Sequence, residues 1–345
     1  MKINRQKVDC EYYSDLSRLN KSMLSIFAKS PAEYHRQMEN PVKLDSYALR
    51  QGTMIHKYIL EYEDFWNEFY KQETQSPTKS VNQKKFAEEL VANNFIPDDY
   101  DKAIKAYKNA YATDKLSDAK LNDAMTDAVR EVKEWVAETL SNEGKVPCTS
   151  ADQERLQKYM QAVRKHKGAA MLLKDSTKDY SVNSIGDIVY GDTYAFSEFQ
   201  INWESPQGIS CKSLIDRIVF KTVEKRIWLI DLKTTSDISN FQHSFEEYTY
   251  GMQLAFYTDA IRWFLINEMG ENPDDWSIEQ YIIAVQKDNS DVKVFQFSDR
   301  MIEGYEMQIR VLMNDLIWHQ ANNIWNMTRI EYCNKGCCPI DLYWQ

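Results

Sequence analysis

Two neighbouring stretches decide the fold: Ser213-Leu214-Ile215-Asp216-Arg217-Ile218-Val219-Phe220 and Ile227-Trp228-Leu229-Ile230-Asp231-Leu232-Lys233. The second is apolar except for one acid and one base, and near-continuous apolar runs of this length belong inside a sheet covered on both faces. Side chains alternate along a strand, so Asp231 and Lys233 share a face. The first stretch likewise sets one acid, Asp216, among hydrophobic residues, and the charged segment Lys221–Arg226 joins the two as a hairpin loop. If Phe220 pairs with Ile227, Asp216 falls opposite Asp231. A slip of two residues keeps both acids on one face, whereas a slip of one does not. Facing carboxylates repel, and burying both without a counter-ion costs several kcal/mol or forces one to protonate. An ion pair with Lys233 accounts for one acid and leaves the second unexplained. A divalent cation accounts for both. Carboxylate oxygens suit Mg²⁺, and a lysine beside that cation can orient an attacking water and stabilise an oxyanion. The pattern points to metal-assisted phosphodiester hydrolysis.

Outward from the hairpin, period-2 alternation marks strands at Ala195–Trp203, Ile209–Phe220 and Ile227–Thr234, and further strands at Tyr281–Gln286 and Val292–Phe297. Helical spacing marks Tyr248–Phe264 and a long helix capped by Ser298 that carries Ile302, Tyr305, Ile309, Leu312, Leu316 and Trp318. On the N-terminal side, Ser22 is expected to cap Met23–Phe27, and Ser30-Pro31 to open a second helix. Helices are also expected over Ala48–Tyr62, from Ser117 to Leu140, and over Asp152–Leu173. Residues 71–114, rich in Lys and Gln, read as a solvated and partly mobile stretch. The expected class is α/β (α+β): a mixed central sheet flanked by helices rather than a clean βαβ repeat. The whole chain, 1–345, is taken as a single domain with a helical, polar insertion at 71–149.

Composition narrows the function classes. With 43% hydrophobic and 27% charged residues, the chain has the balance of a globular protein with a full core. Only 10 Gly and 8 Pro occur in 345 residues, which favours long helices over a loop-rich sandwich. No run approaches the length of a membrane span, so no membrane partner is expected. The start lacks an apolar signal region, so the expected location is the cytoplasm. The sequons at Asn20 and Asn326 then carry no weight. A net charge of −10 argues against a uniformly basic nucleic-acid surface, although a local Lys/Arg channel can sit on an acidic body. Dinucleotide, P-loop, zincin and hydrolase-elbow motifs are absent from the sequence. The six cysteines are too dispersed for a disulfide framework, and the Cys333, Cys337, Cys338 cluster lacks the paired spacing of a zinc site.

The spacing of Asp216, Asp231 and Lys233 resembles the PD-(D/E)xK nuclease signature, and its surroundings sharpen the likeness. Gly52-Thr53-Met54-Ile55-His56 resembles the GxxxH helix motif of the RecB-type branch, and Gln253-Leu254-Ala255-Phe256-Tyr257 its QxxxY motif. Leu24 through Tyr34 and Leu229 through Asp237 are similar to the RecE, or exonuclease VIII, C-terminal nuclease group. The likeness runs through residues 16–70 and 150–265. It implies a restriction-endonuclease-like core, with His56, Asp216 and Asp231 as metal ligands and Lys233 as the catalytic lysine. Gln253, Tyr257 and Glu198 would line the site against DNA. Mg²⁺ is the implied cofactor, with Mn²⁺ accepted through the imidazole. The implied activity is 5′→3′ exonucleolytic digestion of linear duplex ends to leave 3′ single strands. The implied partners are duplex DNA ends, a RecT-like single-strand annealing protein in phage-type recombination, and further copies in a homo-oligomeric ring. An endonuclease, a single-strand trimming enzyme and a catalytically silent DNA-binding scaffold are the competing readings. Relatives that hold an iron–sulfur cluster place a cysteine where Ser30 stands and space three more differently from Cys333, Cys337 and Cys338, so no cluster is expected.

Overall fold

The computed structural model describes residues 12, 14–41, 47–95, 99–111, 117–174, 180–182, 188–190 and 192–337. Cys10 and Cys338 lie outside them. The elements run α1 Lys21–Lys29, α2 Pro31–Glu39, α3 Tyr47–Leu60, α4 Phe65–Glu68, β1 Phe69–Lys71, α5 Val81–Ala92, α6 Tyr100–Tyr111, α7 Asp118–Ser141, β2 Val146–Cys148, α8 Ser150–Lys165 and α9 Lys167–Leu173. They continue with β3 Tyr180–Val182, β4 Ile188–Tyr190, β5 Thr193–Glu204, β6 Ser210–Lys221, β7 Arg226–Thr235, α10 Phe241–Glu247, α11 Tyr250–Asn267, β8 Ser277–Gln286, β9 Val292–Gln296, α12 Asp299–Asn322 and α13 Arg329–Cys333. Two compact units emerge, one formed by 1–60 with 159–345 and the other by Glu61–Lys158.

The first unit is built on a five-stranded sheet in the order β5-β6-β7-β8-β9, with β7 and β8 parallel and the other neighbours antiparallel. This is the mixed sheet with flanking helices that the sequence leads one to expect. α11 packs on β5, β6 and β7 with one side and on α12 with another, so it is buried almost all round. Gly251 allows that approach, because a methyl group there would overlap the Tyr305 ring of α12. One core joins Leu24, Phe27, Phe199, Trp203, Ile215, Phe220, Leu229, Phe256, Ile261, Ile282 and Ile309.

Within β5 and β6 the alternation changes phase. Tyr194 and Phe196 face the α11 core, and so do Phe199, Ile201 and Trp203. Cys211 and Ile215 face it, and so do Ile218 and Phe220. The break falls at Glu198, whose φ of +48° is a left-handed conformation uncommon outside glycine. Its partner strand breaks at Asp216-Arg217, so the two strands stay in register on both sides of the break. In β7, Ile227 and Leu229 keep one phase. Phe220 pairs with Ile227 as the sequence suggests, but the β6–β7 ladder ends at Arg217 with Ile230, one rung before Asp216 would meet Asp231.

The second unit has a helical core of Phe86, Leu90, Ala103, Ala106, Tyr107, Ala110, Met125 and Val132, contributed by α5, α6 and α7. Residues 71–114 are therefore not simply a solvated stretch: α5 and α6 lie within them. The buried stripe of α5 is short (Phe86, Ala87 and Leu90) and that of α6 is alanine-rich, both among lysines, which is why the segment reads as polar. The insertion expected at 71–149 falls wholly inside this unit.

Three smaller expectations are corrected. Asn20, not Ser22, caps α1, its side chain accepting from Met23 N–H at 2.9 Å. The helix expected over Asp152–Leu173 is two helices, because His166 leaves helical geometry and its Nδ1 accepts from Ala169 N–H. A short helix, α10, precedes α11, which begins at Tyr250 rather than Tyr248. Among the described residues, no helix is long and apolar enough to cross a membrane.

Candidate active site

α3 buries Met54, Ile55, Tyr58 and Ile59 and packs on β6, which sets His56 over the point where β6 parts from β7. His56 Nδ1 stands 3.4 Å from Asp216 Oδ2. Ligand atoms of His56, Glu198 and Asp216 all lie within 4.8 Å of one another. The phase change in β5 and β6 makes this possible: it removes Glu198 and Asp216 from the aromatic core face and sets them level with each other. The glycine of GxxxH has no packing role in this geometry, since a methyl group at Gly52 would meet nothing within 4 Å.

Where the ladder stops, Asp216 Oδ2 accepts a hydrogen bond from the β7 backbone at Leu232 N–H, 2.8 Å away. The next residue on either side of that amide faces α11. Lys233 Nζ donates to Asp231 Oδ1 at 2.9 Å and lies 2.7 Å from Oδ2. From α11, Gln253 Nε2 donates to the same Oδ1 at 2.9 Å and lies 3.2 Å from the Tyr257 hydroxyl. One helical turn separates Gln253 from Tyr257, which is why both reach this point. Lys233 also sits over the Tyr250 ring, 5.1 Å from its centroid.

Burial dominates the electrostatics. It pushes the Asp231 carboxyl up to about 6, with Lys233 pulling down and Asp216 pushing up. Burial pulls the Lys233 ammonium down, but Asp231 and Asp216 outweigh it and the net shift is upward. Lys21 at the start of α1 is held down to about 8, first by burial and then by Lys233. Burial raises the Tyr257 hydroxyl well above its ordinary value.

All seven residues singled out in the sequence converge on this corner of the sheet, but not in the expected sets. His56 and Asp216 group with Glu198 rather than with Asp231. Glu198, read as a DNA-lining residue, thus takes a place among the metal-binding candidates. The doubling of polar residues in Phe196-Ser197-Glu198-Phe199 is the signal that could have found it, because an unbroken strand would bury Glu198 beside Phe196. Asp231 serves Lys233 and Gln253 first. Its Oδ2 is buried and makes no hydrogen bond of good geometry, its close neighbour being the Lys233 ammonium. Two carboxylates and an imidazole fit a divalent ion with open positions for water and phosphate.

Residues 20–336 match the model of the family described as a PDDEXK-like domain of unknown function, DUF3799. The chain belongs to this family. No curated protein matches it. Among solved structures, it resembles the one described as "Putative exonuclease" from Eubacterium rectale, at 10% identity and TM-score 0.49, with 98% of this chain and 97% of that one covered.

Proposed function

We propose that this PDDEXK-like protein is a Mg²⁺-dependent deoxyribonuclease that digests linear duplex DNA from its ends. The observation that carries the reading is the placing of His56, Glu198 and Asp216 around one point beside the Asp231–Lys233 pair on the neighbouring strand. When bound there, a divalent ion supplies Lewis-acid polarisation of the phosphate and lowers the pKa of a water. His56, Glu198 and Asp216 would hold it, and the likeness to the RecE group adds Asp231. Lys233 orients the attacking water and neutralises charge building on the phosphate. Asp231 fixes the Lys233 ammonium, and Gln253 fixes Asp231 from α11, so the pair is positioned before DNA arrives. Attack in line with the leaving O3′ breaks the P–O3′ bond and leaves a 5′-phosphate.

The likeness to the RecE group extends the proposal to 5′→3′ polarity, 3′ single-stranded products, a single-strand annealing partner in phage-type recombination, ring assembly and a cytoplasmic setting. The test is digestion of linear duplex DNA labelled separately at its 5′ and 3′ ends, with Mg²⁺, with EDTA, and with Asp231→Ala. Expected is rapid Mg²⁺-dependent release of the 5′ label, with circular DNA spared and the variant inactive. Nicking of circles would assign an endonuclease instead, and binding without cleavage a silent scaffold.

A further inference from the structure

The corner between α10 and α11 has features that the hydrolytic site does not use. Thr249 adopts φ +52° and ψ +45°, a left-handed conformation that is an outlier for a β-branched residue. Strain of this kind persists only where the surroundings over-determine it. Here they do. The Tyr248 carbonyl accepts from Lys21 Nζ at 2.8 Å and from Thr249 Oγ1 at 2.8 Å, and Ser25 Oγ lies 3.3 Å from Thr249 Oγ1. Thus α1 holds the corner from one side. From the other, the Tyr250 ring stacks on Phe241, with centroids 5.9 Å apart, and carries Lys233 above it.

What this pinned corner presents is the Tyr248 side chain. The residue is 54% exposed, although its ring centroid is only 5.7 Å from that of Tyr250. More than half of this large aromatic residue stays in water, one ring away from the lysine of the site. The local charges indicate what would meet it. Lys21 reaches its carbonyl and Lys233 stands over the neighbouring Tyr250 ring, while Glu246 and Glu247 end α10 directly before it. A phosphate is drawn towards the lysines and repelled by the glutamates. The face of Tyr248 is then left to the uncharged part of a nucleotide.

We propose that Tyr248 is a stacking platform for the nucleobase next to the scissile phosphate, presented at a fixed angle by the strained Thr249 corner. The inference rests on the nuclease reading and adds a substrate-positioning residue to it. Stacking on an aromatic ring tolerates any base, since each has a π face. The platform would therefore position the strand without imposing a sequence preference, and would favour an end whose terminal base can leave its partner.

The experiment uses a duplex with 2-aminopurine as the terminal base, Ca²⁺ in place of Mg²⁺ to leave the DNA uncut, and the variants Tyr248→Ala and Tyr248→Phe. Wild type and Tyr248→Phe are expected to quench the fluorescence, and Tyr248→Ala not to. In Mg²⁺ turnover, Tyr248→Ala is expected to raise KM by about ten-fold or more, in line with the loss of one base–aromatic stack, with kcat within about two-fold. Thr249→Gly, which frees the corner, is expected to shift KM in the same direction by a smaller factor. Circular dichroism checks that each variant is folded. Equal quenching and KM in wild type and a folded Tyr248→Ala would overturn the platform while leaving the nuclease reading intact. A wild-type protein that cuts no DNA under any divalent ion would overturn the nuclease reading, and the platform with it.

Discussion

Asp231 answers to two partners at once, and its neighbours show how a site can be half legible in a sequence. It holds Lys233 and is held by Gln253, so its carboxylate is oriented from both the strand and α11. Removing the ammonium should leave that scaffold standing: Lys233→Ala is expected to lower kcat by roughly 10²–10⁴-fold while DNA binding persists, checked by single-turnover cleavage beside a binding assay. The candidate ligands should behave differently. His56→Ala and Glu198→Gln are each expected to raise the Mg²⁺ concentration for half-maximal cleavage by at least about ten-fold, read from a metal titration. Asp216, Asp231 and Lys233 stand out in the sequence because charged residues are rare in buried strands. The grouping of Glu198 with His56 and Asp216 was not legible in the same way, because it depends on one backbone angle that reverses which face a side chain takes.

At the scale of elements, the contact between α11 and α12 is the most demanding. A methyl group at Gly251 would overlap the Tyr305 ring, which is itself packed near Phe245. Gly251→Ala is expected to destabilise the protein by about 1–3 kcal/mol, measured by urea unfolding, and Gly251→Ala with Tyr305→Ala to recover most of that loss relative to Tyr305→Ala alone. The strands and the long helices were legible because their periodicity runs over many residues. α5 and α6 were not, because α5 buries only Phe86, Ala87 and Leu90 of its apolar residues, and Ala103, Ala106 and Ala110 of α6 bury little surface each and leave the hydrophobic pattern faint. α8 and α9 read as one helix because the break at His166 is a cap, made by a side chain that carries no strong turn signal.

For the whole molecule, pH dependence should have a contribution from Asp259 on α11. Burial, and then the nearby Glu306, push its carboxyl up to about 6 from 3.8, although Arg262 lies 3.3 Å away and pulls it down. A carboxyl raised on folding is bound to its proton more tightly in the native state. Its contribution is therefore fully present below the unfolded value and is lost as pH rises through about 6. The loss should amount to about 2–3 kcal/mol between pH 4 and 7. Asp259→Asn is expected to flatten that slope and to be at least as stable as wild type at pH 7.5, read from urea midpoints across the range. The net charge of −10 belongs to this scale too: it describes the sum and not the corner where Lys21 and Lys233 stand.

The paired break in β5 and β6 can also be put in terms of chain length. Glu198 and Asp216 behave as one extra residue inserted into each arm of an otherwise regular hairpin. Deleting either alone should throw one half of the hairpin out of step and turn its aromatic residues towards solvent. Deleting both should restore step and retain the sheet, as circular dichroism would report, in a protein without two of the three candidate metal ligands, for which calorimetry with Mg²⁺ is expected to show no binding. The reading frame of this hairpin is thus tied to the candidate site: length changes are expected to be tolerated here only in pairs, and the tolerated pair would be the one that removes Glu198 and Asp216.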